Sequence, residues 1–471
     1  MKERPLWLNG KLTGGVKTAE VVSPFDGHLV ARVSQASAAQ AREALTVAEA
    51  ARGRLQAQTS GQRRAVLLGV VKGLEARGEE LAQVICEEAG KPITLARMEV
   101  ARSVETFQQA AAALSTFGGE LVPVDFMPHQ ANARAEVRRF PAGVVVGIVP
   151  FNFPLNLGVH KVAPALAVGA PIVVKPPPQA PSAQLLLAEL VHAAGADPAA
   201  LQVLPCDNAV AETLATDARV KVLSFTGSAR VGWSLKAKAA GKAVLELGGN
   251  AAAVVAKDAD VALAAQRLAA SAFGYAGQVC IKVQRIIVEQ PVLAAFRDAF
   301  VAETAKLALG DPRLETTVVG PVIDDAAATR IEGWVREAVA QGARLLCGAE
   351  RAGRLIKPTV LEQVPTGTNL YREEVFGPVA MLEVARDFEH ALERVNDGRF
   401  GLQAAVFTRD WRQARRAFEA LEVGGVIIDD APSFRSDSQP YGGVKASGLG
   451  REGVRATMDD YTEPRTLVWR A

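Results

Sequence analysis

Val144-Val-Val-Gly-Ile-Val-Pro150 opens the stretch whose reading decides the fold. It is a continuous apolar run closed by proline, the pattern of a strand buried on both faces. Leu155 to Val168 follows at helical length, and Pro171-Ile-Val-Val-Lys175 reads as a second short strand. Working outward, Ala183 to Ala194 reads as a helix, Val220 to Thr226 as a strand and Ser228 to Ala240 as a helix. The rhythm returns with strands at Ala251–Val255, Arg285–Val288 and Gly425–Ile428, and helices at Ala262–Ala272 and Val292–Leu307. The first third differs: Ser37–Ala51, Gly61–Arg77 and Leu95–Ser115 are long helical stretches. Arg134–Phe140 reads as a strand outside both rhythms. The expected class is α/β, a mostly parallel sheet with helices on both faces.

The chain has 471 residues, which at about 150 residues per domain suggests roughly three units. Hydrophobic residues are 49% and charged residues 22%, a globular balance that excludes a disordered chain. Lys plus Arg number 53 against 51 for Asp plus Glu, so no basic excess points to nucleic acid. Phe140 to Val159 is the most membrane-like segment, but Pro141, Pro150 and Pro154 break a spanning helix, so no membrane partner is expected. Met1-Lys-Glu-Arg-Pro lacks the apolar stretch of a signal peptide. Cys86, Cys206, Cys280 and Cys347 are scattered, with no C-x-x-C pair. No metal site is therefore expected, and a reducing, cytoplasmic compartment fits better than a disulfide framework.

Several motifs can carry chemistry, and each has a plainer reading. Gly448-Leu-Gly450-Arg-Glu-Gly453 satisfies G-x-G-x-x-G, yet too little chain follows for the βαβ unit that gives the fingerprint its meaning. A glycine-rich turn is the better reading. Phe225-Thr-Gly227-Ser228-Ala-Arg-Val-Gly232 lies at a strand-to-helix junction, where free N–H groups attract phosphate; it could equally be a tight turn. Cys280, in Gly277-Gln-Val279-Cys280, is a candidate thiolate nucleophile, although a lone Cys is usually a small buried hydrophobe. Glu246, in Val244-Leu-Glu246-Leu-Gly248-Gly249, alternates against Leu245 and Leu247. Buried, it would have the raised pKa of a general base; otherwise it is an outward-facing strand residue. Asn152, in Pro150-Phe151-Asn152-Phe153-Pro154, offers an amide to an oxyanion or simply makes the turn. Lys175 closes a strand at the end where ligands bind, or is merely solvated.

The order and spacing of these motifs resemble the aldehyde dehydrogenase superfamily. The match also takes in Lys161, Glu374-Val-Phe376-Gly-Pro-Val and Pro440-Tyr-Gly-Gly-Val-Lys-Ala-Ser-Gly-Leu-Gly, and it runs from Leu8-Asn-Gly-Lys to the C-terminus. Pro154-Leu-Asn-Leu and Gly448-Leu-Gly-Arg-Glu-Gly-Val are most similar to the lactaldehyde and non-phosphorylating glyceraldehyde-phosphate dehydrogenases. The resemblance implies NAD(P)-dependent oxidation of an aldehyde to an acid. Cys280 would attack the carbonyl and carry a thioester, with the Asn152 amide and the Cys280 N–H holding the oxyanion. Glu246 would activate the hydrolytic water, assisted by Lys161. Lys175 would contact the adenosine ribose and Glu374 the nicotinamide ribose. Phe376 and Phe151 would lie near the nicotinamide, and Gly227, Ser228 and Gly232 would form the pyrophosphate turn. Arg102, Phe153, Val279 and Arg435 are the substrate-side candidates.

The resemblance also implies a cofactor-binding parallel βαβ domain (1–118 and 143–249), an α/β catalytic domain (250–445) and a small β oligomerisation arm (119–142 and 457–471), assembling as a homodimer or homotetramer. Two positions depart from relatives. Pro178 stands where NAD-preferring relatives often carry Glu, so nothing repels the 2′-phosphate of NADP; NAD or NADP is expected, with NAD favoured by the lactaldehyde-type resemblance. Val279 stands where relatives acting on phosphorylated glyceraldehyde tend to carry Arg, which argues for a small hydroxylated or anionic aldehyde without phosphate. Two other readings stay open: a CoA-acylating enzyme, whose type generally lacks the glutamate base, and a catalytically silent binding protein.

Overall fold

The computed structural model describes residues 2–470. The decisive stretch forms β1 (Val144–Ile148), α1 (Asn156–Val168) and β2 (Ile172–Lys175). The chain continues through α2 (Ser182–Ala193), β3 (Val220–Thr226), α3 (Ala229–Lys238) and β4 (Lys242–Glu246). β1 lies inside an eight-stranded sheet, with β2 and then Leu201–Val203 on one side and β3 and then β4 on the other. These five strands are parallel, and short antiparallel strands close both edges. Val144, Val145 and Val146 are fully buried, as a strand covered on both faces requires. Each such side chain contributes roughly 1.5–3 kcal/mol of burial. Every residue of α1 is buried too, because the helix lies between the sheet and the long helix Ile93–Ala113.

The strand order reverses between β1 and β3. In an open parallel sheet a crevice forms at such a reversal, outside the carboxyl ends of the strands. β1 delivers Pro150, Phe151 and Asn152 to that crevice, and β3 delivers Gly227 and Ser228.

Beyond β4 the chain enters a second, seven-stranded sheet through β5 (Ala251–Val255) and β6 (Val283–Glu289). All its pairs are parallel except Arg344–Cys347 against Thr359–Glu362. The link between the sheets is Leu247-Gly-Gly-Asn250. A side chain on Gly248 would collide with the Glu374 carboxylate, so glycine lets the two halves close on one another. A third, three-stranded sheet pairs Thr462–Arg470 with Ala133–Pro141, which also pairs with Glu120–Val122.

The helix Gly78–Ala89 and the strands Thr359–Glu362 and Val379–Ala385 were not expected from the sequence. Gly448–Leu449 is an antiparallel edge strand against Glu246 and Leu245, followed by a short helix rather than a parallel crossover. The G-x-G-x-x-G match is thus no dinucleotide loop.

Candidate active site

A cavity of about 700 Å³ opens at the carboxyl ends of β1, β3 and β4. Phe151, Asn152, Gly227, Ser228, Glu246, Cys280, Glu374 and Phe376 all line it, so the structure brings these predicted residues together. Lys161, Lys175, Gly232, Arg102, Phe153, Val279 and Arg435 lie outside its lining.

Cys280 is carried by a loop between the helix Val261–Phe273 and β6. Tyr275, Ala276 and Gly277 take φ of 53°, 52° and 66° in succession. Two non-glycine residues in the left-handed region are costly and persist only when their surroundings hold them. Here the Tyr275 hydroxyl donates to the Ala89 carbonyl (3.1 Å), and the buried Gln278 side chain accepts from the Ile323 N–H (2.9 Å) and donates to the Pro321 carbonyl (3.3 Å). The loop ends with the Cys280 Sγ 3.2 Å from the Tyr441 hydroxyl. Burial pushes the thiol up to about 11; Glu374 and Glu246 add to that, while the Tyr441 bond and Arg435 oppose it. The Cys280 N–H finds no partner among the described residues.

Asn152 is buried beside this loop, and its side-chain amide donates to the Gln278 carbonyl at 3.0 Å. Glu246 ends β4 and is only 4% exposed, which rules out the outward-facing reading. Neither carboxylate oxygen has a hydrogen-bond partner among the described residues. Burial, reinforced by the nearby Glu452, holds its pKa well above the usual carboxylate range, against Arg435, Lys161 and Arg451. A part-buried thiol, a buried amide donor and an unpartnered carboxylate therefore share one cavity.

The aldehyde dehydrogenase family matches residues 12–467. This chain belongs to that family. The 3-sulfolactaldehyde dehydrogenase of Priestia aryabhattai is 39% identical over 470 residues, covering 99% of this chain and 98% of its own. The crystal structure of aldehyde dehydrogenase 21 from Physcomitrella patens, in complex with the reaction product succinate, has a TM-score of 0.97 at 43% identity, over 100% of this chain and 98% of that one. Glyceraldehyde-3-phosphate dehydrogenase GapN from Methanocaldococcus jannaschii, complexed with NADP, has a TM-score of 0.93 at 35% identity, over 97% and 100%.

One wall of this aldehyde dehydrogenase's cavity fits a dinucleotide. α3 starts at Ser228 without a side-chain cap, so the first N–H groups of the helix face the cavity beside Ala229 and Arg230. Gly232 lets α3 press against Leu247 and Phe225, where a larger residue would collide. Phe151 and Phe376 meet edge to face with centroids 5.9 Å apart. The Glu374 carboxylate accepts the Gly249 N–H at 3.2 Å and is pushed up to about 7 by burial, opposed by that bond, Lys282 and Arg330. Lys175 is buried at the end of β2, where burial lowers its pKa, opposed by Cys206 and Asp207. Pro178 is exposed nearby.

Behind Glu246 runs a chain of buried charges. The Lys161 ammonium donates to Thr226 Oγ1 (2.7 Å) and to Glu452 (3.2 Å), not to Glu246 itself. Arg435 pairs with Glu452 at 2.8 Å, approaches His160 at 3.3 Å and lies 3.9 Å over the Tyr441 ring. Burial alone would raise Glu452, but Lys161 and Arg435 hold it down to about 2. His160 and Arg102 both bond Asp437, at 2.9 and 2.5 Å. Val279 packs among apolar neighbours, including Tyr275 and Tyr441.

Lys91, Glu99, Glu452 and Tyr441 are among the residues of this constellation that escaped the sequence reading. Lys91 donates to the Asn152 carbonyl (2.8 Å), sits 3.5 Å over the Phe153 ring and pairs with Glu99 (2.5 Å). Glu99 in turn accepts the N–H groups of Leu155 and Asn156, at 2.9 and 3.0 Å. This buried pair pins the Asn152 turn from behind. Its one signal was a lysine between Gly90 and Pro92. Glu452 lay hidden in the glycine-rich turn, and Tyr441 in the Pro440-Tyr-Gly-Gly motif.

Proposed function

We propose that this enzyme oxidises a small anionic or hydroxylated aldehyde to its carboxylic acid with NAD or NADP, through a thioester on Cys280. The observation that carries the hydrolytic step is Glu246, a buried carboxylate with no partner in the cavity that holds Cys280. Cys280 Sγ, once ionised, adds to the carbonyl carbon. The oxyanion that forms is held by the free Cys280 N–H and the second N–H of the Asn152 amide. Removing one such donor costs about 2.7–4 kcal/mol of barrier. A nicotinamide dinucleotide supplies, when bound, the acceptor for the hydride that leaves the substrate carbon. It would rest on the α3 N-terminus, the Glu374 carboxylate and the Phe151–Phe376 rings, with Lys175 toward the adenosine end. Glu246 then takes a proton from the water that attacks the thioester, and Lys161 stands behind it to compensate the charge.

An anionic substrate is supported by the names of two relatives, one acting on sulfolactaldehyde and one holding succinate. Arg102, part-exposed beside Phe153, is the proposed anion contact: its Nε and Nη2 pair with Asp437, and Nη1 has no hydrogen-bond partner among the described residues. Arg435 is too committed to Glu452 to do more than set the potential. Val279 offers no cation for a phosphate. The absence of a carboxylate at Pro178 leaves both cofactors open: NADP accompanies the GapN relative, and the lactaldehyde-type resemblance favours NAD. The eight-stranded sheet is the proposed cofactor unit, the seven-stranded sheet the catalytic unit and the three-stranded sheet the arm of a homodimer or homotetramer. The four free thiols suit a cytoplasmic enzyme.

The test is reduced-cofactor absorbance for wild type, Cys280→Ala and Glu246→Gln. Succinate semialdehyde, lactaldehyde, benzaldehyde and glyceraldehyde-3-phosphate are each offered with NAD and NADP, without CoA. Turnover by wild type alone, best with the anionic aldehyde, is expected. Turnover appearing only on addition of CoA would replace hydrolysis by acyl transfer.

A further inference from the structure

Tyr441 is buried, and its hydroxyl lies 3.2 Å from the Cys280 Sγ. Its backbone is clamped to Glu452 on both sides, through its N–H to the Glu452 carbonyl (2.8 Å) and its carbonyl to the Glu452 N–H (2.6 Å). The same Glu452 pairs through its side chain with Arg435, whose guanidinium lies 3.9 Å over the Tyr441 ring. The phenol is thus fixed from its backbone and from its ring face, with its hydroxyl on the nucleophile.

While Cys280 is a thiol, either group can donate in this contact. Once the sulfur ionises, only the phenol can. The bond then has a charged acceptor, and such bonds are roughly twice as strong as neutral ones. It therefore favours the thiolate over the thiol. The cation over the ring makes the phenol a better donor and favours the same charge on sulfur. We propose that Tyr441 is a catalytic residue, donating its phenolic hydrogen to Cys280 Sγ as the thiolate forms, with Arg435 polarising the phenol. This rests on the reading of Cys280 as the nucleophile. The thiol proton leaves to solvent, and Tyr441 keeps its own proton throughout. The charged groups that bear on the sulfur are Glu374 and Glu246, which oppose ionisation, and Arg435, which favours it. Burial opposes ionisation most strongly, so a dedicated donor has a large effect here.

The experiment is the pH dependence of Cys280 alkylation by iodoacetamide in the full-length enzyme without cofactor, with the adduct located by peptide mass. Aldehyde oxidation is followed alongside. Tyr441→Phe is expected to move the alkylation midpoint upward, cutting the rate at pH 8 by about ten- to a hundredfold, as loss of one hydrogen bond to a charge requires. The loss of activity should shrink as pH rises. Incorporating 3-fluorotyrosine at position 441, a stronger donor of nearly the same size, should move the midpoint downward. An unshifted midpoint in both variants, with Cys280→Ala inactive, overturns the role of Tyr441 alone. Activity lost equally at every pH, with the midpoint in place, also overturns it, by making the tyrosine structural. Retained oxidation in Cys280→Ala overturns the nucleophile reading and this proposal with it.

Discussion

Glu246 shows how one side chain sets opposing demands on stability and turnover. Burial holds its folded pKa well above the usual carboxylate range of about 4.3 to 4.5. The folded protein therefore binds this proton more tightly than the unfolded chain does. The stabilising contribution is present below about pH 4.5 and is lost as pH rises through the raised value. Glu246→Gln should accordingly melt higher than wild type at pH 8, with the difference closing near pH 4.5, as thermal denaturation across pH would show. Its chemistry should suffer in the opposite sense: a burst of about one reduced cofactor per subunit, then no turnover, because the thioester is no longer hydrolysed. The structure brings Cys280, Asn152 and Glu246 to one cavity. The three were legible in the sequence because the order and spacing of their motifs match a family, although each motif alone had a plainer reading. Tyr441, Glu452 and Lys91 were not, because their meaning lies in distant contacts. Tyr441 is 161 residues from Cys280, and Glu452 is 291 residues from Lys161.

At the scale of elements, α1 illustrates a helix whose cap is borrowed. Leu155 at its N-cap offers no side-chain bond, and Glu99, from another helix, accepts the first N–H groups instead. A carboxylate there also meets the positive end of the helix dipole. Glu99→Gln leaves Lys91 buried without its counter-charge, a change that typically costs about 3–5 kcal/mol. It should lower the melting temperature and also kcat, since the Asn152 turn loses its anchor. Lys91→Met with Glu99→Gln should recover much of the stability but not kcat, and comparing the two readouts separates support from placement. The strands β1, β3 and β5 were legible because apolar runs bounded by Gly or Pro leave one reading. The helix Gly78–Ala89 was not. It follows Ser60–Ala76 across Arg77 alone, and Gly78 at its start looks like the end of the preceding helix.

For the whole molecule, the α/β class was legible from the alternation of strands and helices, and the cavity followed from where the strand order reverses. The long pairing of Thr462–Arg470 with Ala133–Pro141 was not foreseen as a ladder, since neither segment marks its partner. Its outer strand is exposed almost throughout, including Leu467 and Val468. If this arm holds subunits together, deleting Thr462–Arg470 should yield monomers by light scattering where the intact chain gives dimers or tetramers.

The clamp that joins Tyr441 to Glu452 has a consequence for biosynthesis. The ribosome releases Cys280 long before it releases residues 435–470. A nascent chain carries Cys280 without the Tyr441 phenol and the Arg435 guanidinium that lie beside it in the folded protein. During that interval the sulfur is a solvated thiol of ordinary pKa, about 8.5, open to alkylation and oxidation, whereas burial in the folded protein pushes it up to about 11. The surroundings of the sulfur are completed only by the last segment to emerge, so a product truncated before residue 435 lacks both the phenol and the guanidinium however much of the rest folds.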